Sequence, residues 1–326
     1  MGIQGSDSAA SRFLMNETAP LKERRESVAA WFRQLQDEIC LALEKEDAKG
    51  RFREDKWERP GGGGGHTRVL EGGKVLEKGG VNYSAVYGVP PASIVQQAGA
   101  DPACTHEFFA SGVSIVLHPE SPMVPIIHMN VRYFDLGDEV WWFGGGIDLT
   151  PHYVVPDDAA FFHRRLKDVC DKFHPEFYSR FSAWADDYFF LPHRNETRGV
   201  GGIFFDYLKG TDGFSFNDRF SFVQAVGSVF ADTYCELMRR NKEVPFDESA
   251  RKWQLLRRGR YVEFNLVYDR GTKFGLESNG RTESILMSLP PHADWQYDYQ
   301  PAEGSAESIT QKWLRKGVDW INHPAR

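Results

Sequence analysis

Ile126-Ile127-His128-Met129-Asn130-Val131-Arg132-Tyr133-Phe134 reads as a β-strand with two unlike faces. Successive strand side chains point to opposite sides of a sheet, so His128, Asn130 and Arg132 share one face and Ile127, Met129, Val131 and Tyr133 the other. An ordinary half-exposed strand turns Lys, Glu and Thr outward; this one turns out a proton carrier, an amide and a two-pronged cation. The preceding stretch, Gly112 to His118, repeats the pattern, with Ser114 and His118 opposite Val113, Ile115 and Leu117. A short link, Pro119 to Pro125, suits antiparallel pairing of the two. The pairing predicts one polar cluster of Ser114, His118, His128, Asn130 and Arg132 on a sheet face.

Further strand-like stretches lie at 112–118, 126–136, 139–144, 201–208, 260–269 and 284–289, and helical periodicity at 20–49, 157–189, 218–241 and 306–321. Strands follow one another without regular βαβ alternation, which predicts an α+β fold with an antiparallel sheet. No repeat or Pro/Ser-rich linker divides the chain, so a single domain is expected over 19–326, preceded by a small, polar, disordered tail at 1–18. The glycine-heavy stretch 51–80 lacks both G-x-x-x-x-G-K-[ST] and G-x-G-x-x-G, His66 taking the last position, and reads as a flexible loop or a hairpin. In Tyr261 to Asp269, strand alternation sets Glu263, Asn265 and Asp269 against Phe264, Leu266 and Tyr268, and a turn at Arg270-Gly271-Thr272 presents Asp269 and Arg270 to a ligand or simply caps a hairpin.

The 326 residues carry 39 Lys+Arg against 46 Asp+Glu, a formal charge of −7, with a sequence pI near 5.8. That balance argues against a nucleic-acid or membrane-surface binder and leaves room for an anionic small molecule held by local arginines. Cys40, Cys104, Cys170 and Cys235 stand far apart with no C-x-x-C, which reads as reduced intracellular thiols. No run approaches the length of a membrane span. The N-terminus lacks an apolar segment and is too acidic at Glu17 and Glu23 for a transit peptide, so a cytoplasmic protein is expected.

His118, His128, His163 and His193 are candidate metal ligands whose spacing matches no zinc motif, and His106-Glu107-Phe108-Phe109-Ala110 misses H-E-x-x-H at its last position. His118-Pro119-Glu120 matches the H-x-[DE] half of a two-histidine, one-carboxylate iron site, which keeps a non-haem iron oxygenase in view. Gly112-Val113-Ser114-Ile115-Val116 lacks the second glycine of a nucleophile elbow.

Several long strings together resemble oxygen-dependent coproporphyrinogen III oxidases: Gly112-Val113-Ser114 to His118-Pro119, Pro125 to Tyr133, Trp141 to Gly146 with Asp148-Leu149-Thr150-Pro151, His193 to Glu196 with Arg198 to Gly202, Tyr261 to Leu276, and Arg281 to Pro291. The resemblance spans roughly residues 20 to 322. It implies a large antiparallel sheet flanked on both faces by helices, and a homodimer joined through Tyr261 to Gln296. It implies conversion of the ring A and B propionates of coproporphyrinogen III to vinyl groups with O2 as co-substrate, giving protoporphyrinogen IX without an organic cofactor. Substrate contacts carry over to Ser114, Asn130, Val131, Arg132, Asn279, Gly280 and Arg281; the family often has a glycine where Asn279 stands. His128 matches the assigned proton donor. His118, His128, His163 and His193 match ligands proposed for a divalent metal, manganese among them, in bacterial members, whereas other members need none. Arg132, Arg270 and Arg281 suit the substrate carboxylates. Asp148 and Asp269 suit the pyrrole N–H groups, with Asp269 as the expected base. A non-catalytic tetrapyrrole carrier would use the same pocket.

Overall fold

The computed structural model describes Phe13 and residues 19–101, 106–211, 213–277 and 280–322. Seven strands form one antiparallel sheet in the order β1-β2-β3-β4-β5-β6-β9: β1 (Arg53–Glu58), β2 (Gly63–Glu71), β3 (Leu76–Gly88), β4 (Phe108–Pro119), β5 (Ile126–Leu136), β6 (Trp141–Thr150) and β9 (Gly201–Leu208). Two-residue strands β7 (Phe190–Leu191) and β8 (Glu196–Thr197) pair separately. The predicted β4–β5 pairing is present, with Ser114 opposite Asn130 and Val116 opposite His128.

The two sheet faces differ as the alternation requires. Val113, Ile115, Leu117, Ile127, Met129, Val131, Tyr133, Phe143, Ile147, Ile203 and Phe205 are buried in the main core. Helix α1 (Leu21–Asp47) contributes Val28, Phe32, Leu35, Ile39 and Leu43 to that core, at spacings that put them on one helical stripe. Helix α5 (Phe216–Asn241) contributes Phe220, Val223, Val226 and Phe230 and starts at a capping box of Ser215 and Asp218. The other face carries Asn82, Ser114, His128, Asn130, Arg132 and Asp148, and is partly covered by α6 (Glu248–Val267) and the segments after it.

Three expectations fail. Residues 260–267 form the end of α6, not a strand, and Tyr268 is its C-cap. A ten-residue window shows apparent alternation, but the longer pattern of Trp253, Arg257, Tyr261 and Phe264 has helical spacing, and all four are buried. Asp247 caps the helix by accepting from the Ala250 N–H. Residues 284–289 form no strand either: α8 (Thr282–Leu286) is followed by a turn that seats Met287 against Gly80, where a Cβ would meet the Met287 sulfur. Residues 157–189 are two helices, α3 (Pro156–Asp171) and α4 (Phe177–Tyr188), because Pro175 disfavours a helical His174.

Boundaries shift elsewhere. The stretch 139–144 becomes β6, running to Thr150, and 306–321 contracts to α9 (Ala306–Trp313). The glycine-rich stretch is strand hairpin, Gly64 and Gly65 pairing with Glu58 and Trp57. A further helix, α2 (Ala92–Ala98), precedes β4, and α7 (Arg270–Glu277) follows α6. The expected tail 1–18 lies outside the described residues except for Phe13, which packs in the core and accepts from Ser27 Oγ at 2.8 Å. Among the described residues no helix is long and apolar enough to cross a membrane.

Candidate active site

The polar face is built in cross-strand rows. One row runs Asp55, Thr67, Asn82, Ser114, Asn130, Gly146 across β1 to β6. The adjoining row is Gly65, Ser84, Gly112, Arg132, Gly144. Within these rows the Trp57 ring lies over Gly65 and the Arg132 guanidinium over Gly144. Arg281 stands at the β1 end, paired to Asp55, and Arg132 at the β5 end. Strands β1 and β5, four spacings apart in the sheet, are separated by about 19 Å at the usual spacing.

At the β5 end the groups form a chain. Asp148 is buried on β6; one oxygen accepts from His128 Nδ1 at 2.7 Å and the other from Arg198 Nη2 at 2.7 Å. Arg198 also donates to Asn265 Oδ1 of α6 at 2.9 Å, and its guanidinium lies between the rings of Phe189, Tyr261 and Phe264 at 4.5–4.6 Å. Burial pushes the Asp148 carboxyl up, but the Arg198 charge and the His128 hydrogen bond outweigh it and hold its pKa below the ordinary value. An ionised Asp148 can only accept, so the proton of a neutral His128 sits on Nδ1 and Nε2 becomes the nitrogen that exchanges protons. Two residues along β5, Arg132 donates to Asn130 Oδ1 at 2.7 Å and Asp206 Oδ2 at 2.7 Å.

The remaining expected residues fall as follows. Asp269 caps α7: Oδ2 accepts from the Thr272 N–H at 2.7 Å and Oδ1 from Tyr188 OH at 2.9 Å. Arg270 lies over the Tyr188 ring at 5.7 Å, and Tyr188 stacks on Phe204 beside the face. Gly280 is exposed, and its N–H donates to the Gly275 carbonyl at 2.8 Å. Asn279 lies outside the described residues. Val131 turns its side chain into the core, so its backbone alone belongs to the sheet at the site.

His118 shares the polar face but is sealed. Its Nε2 pairs with the Ser288 carbonyl at 2.8 Å, and Tyr261 packs on its ring. Burial, reinforced by Arg258, Lys78 and Arg198 and only partly offset by the Ser288 hydrogen bond, lowers its pKa to about 3. His163 lies between Tyr178 OH and the Val200 carbonyl, and burial lowers its pKa to about 4. His193 pairs with Glu263 at 2.7 Å and Tyr268 at 2.9 Å. The four histidines are thus engaged separately, each by its own polar partners, and the metal quartet is not assembled. Glu120 turns to Arg251 at 3.2 Å, so the iron half-site is not assembled either. Among the described residues no group of three or more His, Cys, Asp or Glu is placed to hold a metal ion. The described residues do not assemble a site for a resident metal.

Sequence reasoning gave no separate role to Arg198, Asp206 or Asn82. A lone acid in the apolar run Ile203-Phe204-Phe205-Asp206 was an available signal. Nothing local marked Arg198, whose partners come from β6 and α6. The cover after α6 is laced to the same face: Asn82 donates to the Ser284 carbonyl at 2.8 Å, Thr67 bonds Ser284 Oγ at 2.8 Å, and Lys78 donates to the Leu289 carbonyl at 2.8 Å.

The model of the family described as Coproporphyrinogen III oxidase matches residues 27–320 of this 326-residue chain. The match takes in every strand, the face they build and the helices that cover it.

Proposed function

The chain belongs to the coproporphyrinogen III oxidase family, oxidoreductases that decarboxylate their substrate in porphyrin biosynthesis, and we propose that it does so with molecular oxygen. Each of the ring A and B propionates, –CH2–CH2–COOH, reacts with one O2 to give –CH=CH2, CO2 and H2O2. The second turnover yields protoporphyrinogen IX. The observation that carries this reading is the buried Asp148 joining His128 to Arg198, two residues along β5 from a half-buried Arg132.

The arginines take the substrate carboxylates, each charge-assisted bond contributing about 1.5–3 kcal/mol. The floor of Gly112 and Ser114 receives the macrocycle. Asp269 keeps lone pairs beyond its two internal hydrogen bonds and accepts a pyrrole N–H. Deprotonation there makes the pyrrole electron-rich enough to react with O2 directly, so the substrate supplies the electrons and no organic cofactor is required. The resulting peroxide takes the β-hydrogen as CO2 leaves. His128, oriented by Asp148, supplies or withdraws the proton at Nε2. Catalysis rests on positioning and on excluding water from a reactive intermediate.

The chain acts as a cytoplasmic homodimer in this reading. Cys40, Cys170 and Cys235 are unpaired and buried, which supports a reducing compartment. Leu266, Val267, Leu276, Trp295 and Tyr297, all exposed within or beside 261–296, support association through that segment.

The test is turnover of coproporphyrinogen III by chelator-treated protein, with and without O2. Oxygen-dependent CO2 release and divinyl product are expected. Binding without CO2 would make the protein a carrier, and activity restored only by added iron would make it an iron oxygenase.

A further inference from the structure

We propose that Asp206 is a positioning residue that sets the angle at which Arg132 meets a substrate carboxylate. The proposal deepens the reading of this face as the tetrapyrrole site and rests on it.

The geometry starts from a register shift. Gly145 pairs with Phe205 and Phe143 with Leu208, so one residue of β6, Gly144, faces two of β9, Asp206 and Tyr207. That extra residue is a β-bulge, a feature that re-aims side chains. Leu208 takes the buried position that regular alternation would give Tyr207, and Tyr207 is left exposed with φ +54°. A bulky residue rarely adopts that conformation, so the surrounding structure imposes it.

The bulge anchors one oxygen of Asp206 and frees the other. Oδ1 accepts from the Tyr207 N–H at 2.9 Å, and Oδ2 faces Arg132 Nη2 at 2.7 Å. Arg132 reaches it by lying across the intervening strand, directly over Gly144. A Cβ on Gly144 would stand 2.5 Å from Asp206 Oδ1 and 2.9 Å from both Arg132 Cζ and Nε. Asn130 Oδ1 holds the second terminal nitrogen at 2.7 Å. The guanidinium is therefore fixed in plane by one acceptor at each terminal nitrogen. It has five N–H groups, and three remain to receive a carboxylate in a set direction. Four parts from three strands (Asn130, Gly144, Asp206 and the bulge) serve this one orientation.

The test uses the full chain, with steady-state turnover of coproporphyrinogen III and binding of its unreactive oxidised form, coproporphyrin III, followed by fluorescence. Asp206→Ala is expected to raise KM and weaken coproporphyrin binding by about tenfold, the scale of one charge-assisted hydrogen bond, with a smaller change in kcat. Asp206→Asn keeps an oxygen acceptor and should recover most of the loss. Gly144→Ala removes no charge but displaces the pair, and should reproduce the Asp206→Ala defect. In an Arg132→Ala background, Asp206→Ala should add nothing. If Asp206→Ala does not fold, Gly144→Ala decides. Wild-type KM and binding in Asp206→Ala or Gly144→Ala, an Asp206→Asn defect as large as that of Asp206→Ala, or a full additional loss in the Arg132→Ala background, overturns the proposal while leaving the site reading intact. Wild-type KM and binding in Arg132→Ala would take down both.

Discussion

Asp148 is asked to do two things at once: orient an imidazole and neutralise a guanidinium that has almost no contact with water. Removing its charge leaves Arg198 buried and unpaired, which typically costs about 3–5 kcal/mol. Asp148→Asn should therefore lower stability by about that amount in chemical denaturation and lower kcat by about 10²–10⁴-fold, the usual share of a proton-transfer group. A second residue-scale consequence concerns His118 and His163. Their folded pKa values, about 3 and about 4, lie below the ordinary 6.5. Between those limits the unfolded chain binds protons that the folded chain does not, so stability falls as pH drops from 6.5 and is fully present above it. Each histidine contributes a slope of about 1.4 kcal/mol per pH unit in that window. Denaturant midpoints measured from pH 7 to pH 4.5 should show this fall, and His163→Gln should remove about one such slope. The polar face of β5 was legible from residues 126–134 alone, because a period of two needs no partner to be seen. The sealing of His118 was not, since the groups that bury it come from 261 and 288.

Among the elements, the joint between α1 and the β2–β3 hairpin depends on one side chain. Asp47 is fully buried and accepts from the N–H groups of Gly50 at 2.6 Å, Lys74 at 2.9 Å, Val75 at 2.8 Å and Leu76 at 2.8 Å. Burial raises its carboxyl pKa, but these backbone donors prevail and hold it below the ordinary value. Asp47→Ala strands those donors and should cost about 3–5 kcal/mol. Because Asp47 lies on the helix and hairpin junction rather than the polar face, kcat of the folded fraction should be unchanged. Joint chemical-denaturation and turnover measurements check both halves. At this scale the helices were largely legible where their apolar stripe is long, as in α1 and α5. They were misread where a short window mimics alternation, as in 260–269, or where a cover segment carries scattered apolar residues, as in 284–289.

The whole molecule presents a sheet with its core on one side and a polar trough on the other, closed in part by the cover from α6 to Leu289. Leu266, Val267 and Leu276 of that cover are exposed, as are Trp295 and Tyr297 just after it. Paired substitution Leu266→Glu with Val267→Glu should convert the proposed dimer to monomer in sedimentation velocity; a wild-type monomer at micromolar concentration would remove the dimer from the reading. The family's identity was legible in strings such as Trp141 to Gly146 and Arg281 to Pro291, and the family match extends over residues 27–320.

By itself the sequence determined the antiparallel sheet, its two-faced central strands and the residue types gathered on the polar side, because strand alternation and short links act over a few residues. Only the tertiary structure decided which of those groups work together. Arg198 meets Asp148 across 50 positions and Asp206 meets Arg132 across 74. Such pairings depend on how distant segments pack, a β-bulge included, and a local pattern holds no record of that.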